Sequence, residues 1–391
     1  MIYDFDAPFD RRGTHSYKWD HCDKIFGGKD LLPMWVADMD FPVAQEIQQA
    51  ILERAAHPAF GYTAIPDTSY EAVSDWLSRR HSWTVSREWV LFCPGVVPSI
   101  ALSINAFTLP GDKIIVQAPV YPPFFNVISD CGRQVVVNKL IYEDGRYRID
   151  FDDLKNKIDR NTSMLLLCSP HNPVGRLWSS DELLELGRIC IERNVIILSD
   201  EIHHDLAFPG LKHFPIASLS NALSENTVTL LAPSKTFNLA GLHTSITVIS
   251  NELLRRRFYS VLNSLSLRSI NIFGLAATET AYSSGDEWVD QMMNYVAGNF
   301  EFLNHYLSTK IPEVVAIRPE STYLVWLDCS GLSVDYSKIG EFMVKKARLA
   351  LNDGASFGPG GENFQRMNIA CPRVRLQEAF NRLEKAVSEI R

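Results

Sequence analysis

The sequence lacks three features that would direct it to a membrane or to nucleic acid. No apolar run approaches the ~18–20 residues of a membrane-spanning helix. The N-terminus, MIYDFDAPFDRRG, carries acids and aromatics in place of the apolar core of a signal peptide. The formal net charge is -8, which argues against a nucleic-acid or acidic-membrane surface. We therefore expect a cytoplasmic protein that binds neither membranes nor nucleic acid.

The sequence also lacks the motifs of several common sites. Its seven cysteines are scattered and none forms a CxxC pair, so we expect reduced thiols and no cysteine metal site. It contains neither the Walker phosphate-binding pattern nor the dinucleotide pattern GxGxxG. Two aspartates, Asp38 and Asp40, and the run His203-His204-Asp205 are the remaining hints of a metal. Adjacent histidines do not face one site on a regular helix or strand, and a capped turn explains the aspartates, so we expect no metal site.

What is present is an alternation of short apolar runs with segments that can form helices. A globular composition of 46% hydrophobic and 21% charged residues supplies a large core. Near-continuous apolar strands alternating with helices predict an α/β fold, with a large domain containing a mainly parallel seven-stranded sheet between helices. Beyond about residue 286 the rhythm changes to that of a smaller α+β domain. We predict a large domain over 45–285, with 1–44 and 286–391 as an N-terminal arm and the small domain. The predicted strands of the sheet are 89–92, 113–117, 134–138, 163–168, 195–199, 227–231 and 245–249.

Lys235 follows the apolar strand 227–231 after Ala-Pro-Ser. Open α/β sheets bind ligands at the carboxyl ends of their strands. Desolvation at such a place favours the neutral amine, which can attack a carbonyl and form a Schiff base. The alternative is a loop lysine that points into solvent.

Other polar residues follow other predicted strands. Asn172 lies between two prolines in SPHNPVG, where its amide can be aimed at a ligand oxygen, or where it forms a plain turn. Asp200 directly follows strand 195–199, and a buried carboxylate there needs a partner such as a protonated ring nitrogen. A helix cap or local salt bridge is the alternative. Tyr121 in APVYPPF can stack on an aromatic ligand or pack against the core. Arg373 in NIACPR can pair with a carboxylate or lie at the surface.

A turn at CPGVVP precedes a segment that can form a helix, 99–109. Backbone N–H groups at a helix start can bind phosphate, and Gly95 allows a close approach. An ordinary strand-to-helix turn is the alternative.

Taken together, these motifs resemble the fold-type I pyridoxal-phosphate enzymes of the class I and II aminotransferase superfamily. The order carries the resemblance: Asp200 of SDEI follows Asn172 of SPHNPVG by 28 residues, Lys235 follows Asp200 by 35, and NIACPR comes near the end. MWVADMDFP, FGYT, PGVVPSI, DEIHHDL and APSKTFNLAGL look most like the cystathionine β-lyase branch of carbon–sulfur lyases typified by MalY and PatB.

The resemblance implies pyridoxal 5'-phosphate as cofactor and assigns roles in its site. Lys235 would bind the cofactor and act as the base at the substrate Cα. Asp200 would pair with the pyridinium nitrogen, Asn172 with the ring hydroxyl oxygen, and Tyr121 would stack on the ring. Lys235, Tyr121 and Asp200 are thus the implied catalytic residues. His203 also belongs to the cofactor site, in the place where many aminotransferases have a tyrosine.

The remaining implied roles concern phosphate, partner subunit and substrate. Val96 and Val97, through their N–H groups, and Ser234 would bind the phosphate. Tyr62 would reach the phosphate of a neighbouring subunit, which implies a homodimer. Arg373 would bind the substrate carboxylate, with Ala37 and Asn172 beside the substrate. Where many aminotransferases have a phosphate-binding arginine this chain has His243, which leaves more of that task to the other groups.

The function implied is β-elimination. L-Cystathionine or a related cysteine S-conjugate would be cleaved to a thiol (homocysteine from cystathionine), pyruvate and ammonia. Two alternatives stay open: an aminotransferase of the same family, which uses the same groups, and a pyridoxal-phosphate-binding regulatory protein without turnover.

Overall fold

The computed structural model describes residues 2–7 and 9–391. In those residues the α-helices, α1 to α14 in chain order, are Cys22–Phe26, Gln45–Ala56, Asp67–His81, Val96–Phe107, Pro123–Asp130, Phe151–Lys157, Ser180–Glu192, Asn221–Asn226, Pro233–Thr236, Glu252–Ser264, Ile272–Ser284, Asp286–Lys310, Ile339–Lys345 and Arg373–Ser388. The strands, β1 to β15, are Leu32–Pro33, Val90–Cys93, Lys113–Ala118, Gln134–Lys139, Ile141–Glu143, Arg146–Arg148, Thr162–Cys168, Ile196–Asp200, Thr227–Leu231, Ser245–Val248, Val315–Ala316, Leu324–Asp328, Leu349–Ala350, Asn352–Asp353 and Phe364–Asn368.

The seven predicted strands form one sheet, in the order β2-β10-β9-β8-β7-β3-β4. Strand β10 is antiparallel to both of its neighbours, and the other six run in one direction. The α/β fold predicted from the alternation of apolar runs and helices is therefore confirmed. Because six strands share a direction, the loops after β2, β3, β7, β8 and β9 all meet at one edge of the sheet.

Both faces of this sheet are covered, which explains why its strands are apolar without alternation. Successive residues of β7 show the arrangement. Leu166 packs in the cluster that contains Ile100 of α4 and Phe258 of α10. Leu165 packs on the other face with Leu183 of α7. The side chains of a strand point alternately to opposite faces, so a strand between two helical layers must be apolar at every position.

A second sheet, in the order β11-β12-β15-β14, lies in the C-terminal part of the chain. In this part of the chain α13 ends at Lys345 and does not continue into β13. The reason is local backbone and distant pairing together. Arg348 adopts a positive φ of 52°, which a helix does not allow, and Leu349 pairs with Leu32 of the N-terminal segment. The division into domains at residues 45 and 285 stays a prediction.

None of the helices in residues 2–7 and 9–391 is both long enough and apolar enough to cross a membrane.

Candidate active site

A cavity of about 480 Å³ lies at the edge of the sheet where the parallel strands end. Eight of the residues predicted for the site line it, and eight further residues complete its wall. The predicted residues are Ala37, Val96, Val97, Tyr121, Asn172, Asp200, His203 and Lys235. The further residues are Tyr17, Trp35, Val36, Pro123, Cys168, Ile202, Asn352 and Arg366.

Lys235 lies in the short helix α9, which begins at Pro233 directly after β9. Its Nζ donates a hydrogen bond of 2.6 Å to the carbonyl oxygen of Ala37. Burial and then the nearby Arg366 lower the pKa of Lys235 to about 8, although Asp38 and Asp200 act in the other direction. A substantial neutral fraction at physiological pH gives this amine the nucleophilicity that an exposed lysine lacks.

Asp200 is the last residue of β8 and lies next to Cys168 of β7 in the sheet register. It is 4% exposed. The one hydrogen bond that its carboxylate accepts from the described part of the chain comes from the Ile202 backbone N–H, at 3.1 Å. Burial raises the pKa of Asp200 to about 7, and Glu201 adds to the effect. A buried carboxylate without a cation is costly, so this group is suited to a cationic ligand atom.

The first turn of α4 forms another part of the wall. Gly95 precedes this helix with a φ of 128°, a conformation that favours glycine, and Val96 and Val97 follow. The first N–H groups of a helix have no partners within it, and the helix dipole adds partial positive charge there. This end of the cavity is therefore suited to an anion.

Three predicted residues lie between these groups. The Asn172 Oδ1 accepts a hydrogen bond of 2.9 Å from Arg366, so its NH₂ group is the part left for a ligand oxygen. Burial raises the pKa of the Tyr121 hydroxyl, and Asp200 contributes, so the phenol stays neutral. His203 is buried with an Nδ1 that has no hydrogen-bond partner among the described residues. Burial, followed by Lys235 and Arg366, holds the His203 pKa well below its usual value.

The arginine that lines the cavity is Arg366, whereas Arg373, which was predicted to bind the substrate carboxylate, does not line it. Arg373 is the first residue of α14, and its Nε donates to Asn299 Oδ1 at 2.7 Å, away from the cavity wall. Arg366 lies in the middle of β15, 5% exposed. It donates to Asn172, to the Trp35 carbonyl (2.9 Å) and to Asn352 (2.6 Å).

No carboxylate in the described residues lies within salt-bridge distance of Arg366, and its Nε is without a partner there. Burial lowers the pKa of this guanidinium to about 10. The sequence signal for Arg366 was its position inside the strand segment FQRMNIA. A charged side chain in a buried strand is costly unless hydrogen bonds or a ligand compensate for its burial.

Ala37 belongs to a segment that an ion cluster fixes in place. The buried Asp40 carboxylate accepts from Lys18 (3.1 Å) and Arg11 (2.9 Å), and Arg375 of α14 lies 3.0 Å away. This cluster ties the N-terminal arm to the C-terminal helix. The Ala37 carbonyl is thereby held against Lys235 and against the Tyr323 hydroxyl, 3.2 Å away.

Besides Arg373, two predicted residues, Ser234 and Tyr62, lie outside the cavity wall in this single chain. Ser234 precedes Lys235 and is half-buried. Tyr62 is fully exposed, in the loop between α2 and α3. Their assignment to a phosphate stays a prediction, since for Tyr62 it requires a second subunit.

The chain belongs to the family described as Aminotransferase class I and II, which it matches over residues 29–383. The match spans the seven-stranded sheet, β15 and all of the cavity wall except Tyr17, so the predicted family is confirmed.

One relative by sequence and two solved structures are similar to this chain over almost its whole length. It is 43% identical to cystathionine beta-lyase PatB of Bacillus subtilis over 385 residues, which are 98% of this chain and 100% of PatB. Its fold is similar to that of cystalysin from Treponema denticola, a structure that contains pyridoxal 5'-phosphate, with a TM-score of 0.97, 36% identity and full coverage of both chains. It is also similar to a pyridoxal-phosphate-bound C-S lyase from Staphylococcus hominis, with a TM-score of 0.92 and 32% identity over 99% of this chain and 98% of that one.

Proposed function

We propose that this protein is a pyridoxal-phosphate-dependent carbon–sulfur β-lyase. It cleaves L-cystathionine or related cysteine S-conjugates to a thiol, pyruvate and ammonia. The observation that carries the proposal is one cavity that contains a lysine of lowered pKa and a buried carboxylate without a cation, in a chain 43% identical to a cystathionine β-lyase.

The residues of the cavity fit this cofactor. The Asp200 carboxylate supplies the partner that a protonated pyridine nitrogen requires, since the Ile202 N–H is the one hydrogen bond that it accepts in the described residues. The free N–H groups at the start of α4 fit a phosphate. The Lys235 amine fits the carbonyl carbon, and the Tyr121 ring offers an aromatic face.

When bound, pyridoxal phosphate supplies the electron sink that stabilises negative charge at the substrate Cα. The chain supplies the proton transfer. The neutral Lys235 Nζ takes the Cα proton, the Cβ–S bond breaks, and the electron pair leaves with the sulfur as a thiolate. The aminoacrylate that remains hydrolyses to pyruvate and ammonia.

Arg366 is the group we assign to the substrate carboxylate. It is a buried cation in the cavity, and its guanidinium plane is held by three oxygen atoms of Asn172, Trp35 and Asn352. Its Nε–H, which has no hydrogen-bond partner in the described residues, is then held at a fixed place where it can donate to a carboxylate. This contact would orient the Cα–H bond of the substrate toward Lys235.

The protein acts as a cytoplasmic homodimer with sites shared between subunits. The support for the dimer is Tyr62, a fully exposed aromatic residue close to Phe60, which is 58% exposed. Large exposed aromatic residues on one loop are typical of an interface. The support for the cytoplasm is that all seven cysteines are free, six of them buried.

The test is a product assay with purified protein and L-cystathionine, without an added keto acid. The expected result is catalytic release of pyruvate, ammonia and thiol in equal amounts, which Lys235→Ala abolishes. Conversion of the cofactor to its amine form with no pyruvate would instead identify an aminotransferase. Bound cofactor with no turnover on any sulfur amino acid would identify a regulatory protein.

A further inference from the structure

A second cluster of buried polar side chains lies outside the active-site cavity, and the proposed lyase reaction does not involve it. Asp205 is at its centre, 5% exposed. Its Oδ1 accepts from His81 Nε2 (2.8 Å) and Trp76 Nε1 (2.9 Å), both on α3. Its Oδ2 accepts from Thr236 Oγ1 (2.8 Å), next to Lys235. Asp205 and His81 are 124 positions apart in the chain, so only the fold brings them together.

His204 is the member of the cluster that the hydrogen bonds leave unsatisfied. Its Nδ1 lies 2.8 Å from the Glu201 carbonyl oxygen, an acceptor, so Nδ1 carries the hydrogen. The Nε2 of the neutral ring then presents a lone pair. It has no hydrogen-bond partner in the described residues, although it is buried and lies 3.2 Å from Asp205 Oδ2. Two lone pairs that face each other at this distance repel unless a cation lies between them.

The spacing of these two atoms suits a metal ion. With bonds of about 2.0 Å from zinc to nitrogen and oxygen, a separation of 3.2 Å corresponds to an angle of about 105° at the metal, close to tetrahedral. The ligand atoms of His81, His204 and Asp205 all lie within 4.8 Å of one another. The contact from Nδ1 to the Glu201 carbonyl is the kind of outer contact that fixes a ligating histidine in other metal sites.

We propose that His81, His204 and Asp205 form a binding site for a divalent transition metal, best suited to Zn²⁺. Two imidazoles and one carboxylate are a ligand set typical of zinc, and a water molecule would take the fourth position. His81 would exchange its hydrogen bond to Asp205 for the metal, with its hydrogen moving to Nδ1.

The fourth position has a route to solvent. His81, His204 and Asp205 line a cavity of about 280 Å³ whose wall does not include Lys235. The nearby cations are engaged elsewhere: Arg79 with Asp286 (3.0 Å), Arg80 with Asp290 (2.8 Å) and Lys212 with Ser82 (3.2 Å). The carboxylates partly neutralise the charges of Arg79 and Arg80, which lowers the repulsion that an entering metal ion would meet from them, whereas Lys212 keeps its charge.

For this part of the chain, the absence of a metal site was predicted from the adjacency of His203 and His204. The structure separates these two side chains: His203 lines the active-site cavity and His204 does not. Residues 202–205 form turns, so the argument from a regular helix or strand does not apply. The third ligand, His81, comes from α3, which sequence spacing did not connect with them.

The site would couple α3 to the active-site lysine. Asp205 Oδ2 contacts both Thr236 and the proposed metal position, so a bound ion would restrain the turn that carries Lys235. The proposal does not depend on the lyase reaction, since the site contains no residue of the active-site cavity.

The first test titrates Co²⁺, a spectroscopic substitute for Zn²⁺, into metal-free holoenzyme without substrate. We expect one ion per chain at micromolar concentration, with the visible absorption of a four-coordinate site, and its displacement by Zn²⁺. His204→Gln and His81→Gln should each weaken binding by at least about tenfold. His305→Gln, which removes an exposed histidine of α12, is the matched control and should bind as the wild type does.

The second test does not depend on the folding of variants. Crystals soaked in Zn²⁺ should show an anomalous peak between His204 Nε2 and Asp205 Oδ2. A peak at other residues only, no stoichiometric binding by the wild type, or equal affinity in the His204→Gln and His305→Gln variants would overturn the proposal. In that case a proton on His204 is the cation that satisfies Asp205.

Discussion

Arg366 gives the sharpest prediction, because the sequence and the structure select different arginines. Arg366→Lys keeps a positive charge in the cavity but replaces a guanidinium, which three hydrogen bonds hold in place with its Nε–H free, with a flexible ammonium that does not keep a donor at that position. Arg373→Lys is the matched control, since it changes the same residue type outside the cavity, where Nε contacts Asn299.

The magnitude follows from the bond that is lost. A hydrogen bond to a charged group contributes about 1.5–3 kcal/mol, so loss of one bond to the substrate carboxylate lowers kcat/KM by roughly 10- to 150-fold. The carboxylate is bound in both ground state and transition state, so most of the loss should appear in KM. Arg373→Lys should change kcat/KM by less than about threefold, as expected for a site away from the chemistry.

The assay is steady-state release of pyruvate from L-cystathionine, with the α-methyl ester of the substrate as a second probe. If Arg366 binds the carboxylate, kcat/KM falls when the wild type is given the ester and when the Arg366→Lys variant is given the free acid. The variant with the ester should then show little further loss beyond either single change. Losses that multiply would place the carboxylate elsewhere. A larger loss in Arg373→Lys than in Arg366→Lys would refute the assignment and restore the arginine that the sequence indicated.

The remaining predictions concern four other positions. The first concerns Lys235, whose pKa is lowered to about 8. At each pH, the rate at which the cofactor binds to the apoenzyme is divided by the rate at which it reacts with free Nα-acetyllysine. This ratio should be largest below pH 8 and fall above it, and a constant ratio would contradict the lowered pKa. Asp200→Asn should lower kcat by about 10²–10³-fold, the usual loss on removing one preorganised electrostatic partner, while Asp200→Glu should retain more activity than Asp200→Asn. Inactive Lys235→Ala dimers and impaired Tyr62→Ala dimers are unfolded and refolded together, so that half of the new dimers contain one subunit of each kind. Each mixed dimer has one site with both wild-type residues, so the mixture should regain about a quarter of the wild-type activity. No recovery in confirmed mixed dimers would exclude shared sites. Asp40→Asn should lower the free energy of unfolding at pH 7 by about 3–5 kcal/mol, because Arg375 loses its carboxylate partner and Asp38 is left as the one counter-charge near Lys18 and Arg11 in the described residues. Burial alone would raise the Asp40 pKa, but Lys18, Arg375 and Arg11 lower it below the usual value. The stabilisation by the Asp40 carboxylate therefore holds above pH about 4 and disappears as the pH falls through the pKa of the folded state. Urea denaturation of the wild type and the variant at pH 7 and at a pH below that pKa measures the difference.

Much of the fold followed from local patterns. All seven strands of the large sheet were predicted with bounds within one residue of the observed ones. The helix over Ser180–Glu192 has a clear start signal, a capping box between Ser179 and Glu182. Short elements were missed: the two-residue strands β1, β13 and β14 have no periodicity of their own and exist because distant segments pair.

The sequence by itself determined which polar residues follow which strands. Apolar runs fix the strands, and parallel strands bring their carboxyl ends to one edge, so Asp200, Asn172, Tyr121 and Lys235 had to lie near one another. This is why a set of weak motifs, in the right order, predicted the family that the comparison confirms.

Only the tertiary structure decided which groups meet across long stretches of chain. Arg366 lines the cavity and Arg373 does not, because β15 carries the first between Asn172 and Asn352 while α14 directs the second toward Asn299. His81 meets His204 for the same kind of reason. A contact between segments more than a hundred residues apart depends on how whole elements pack, and no local pattern of sequence encodes that packing.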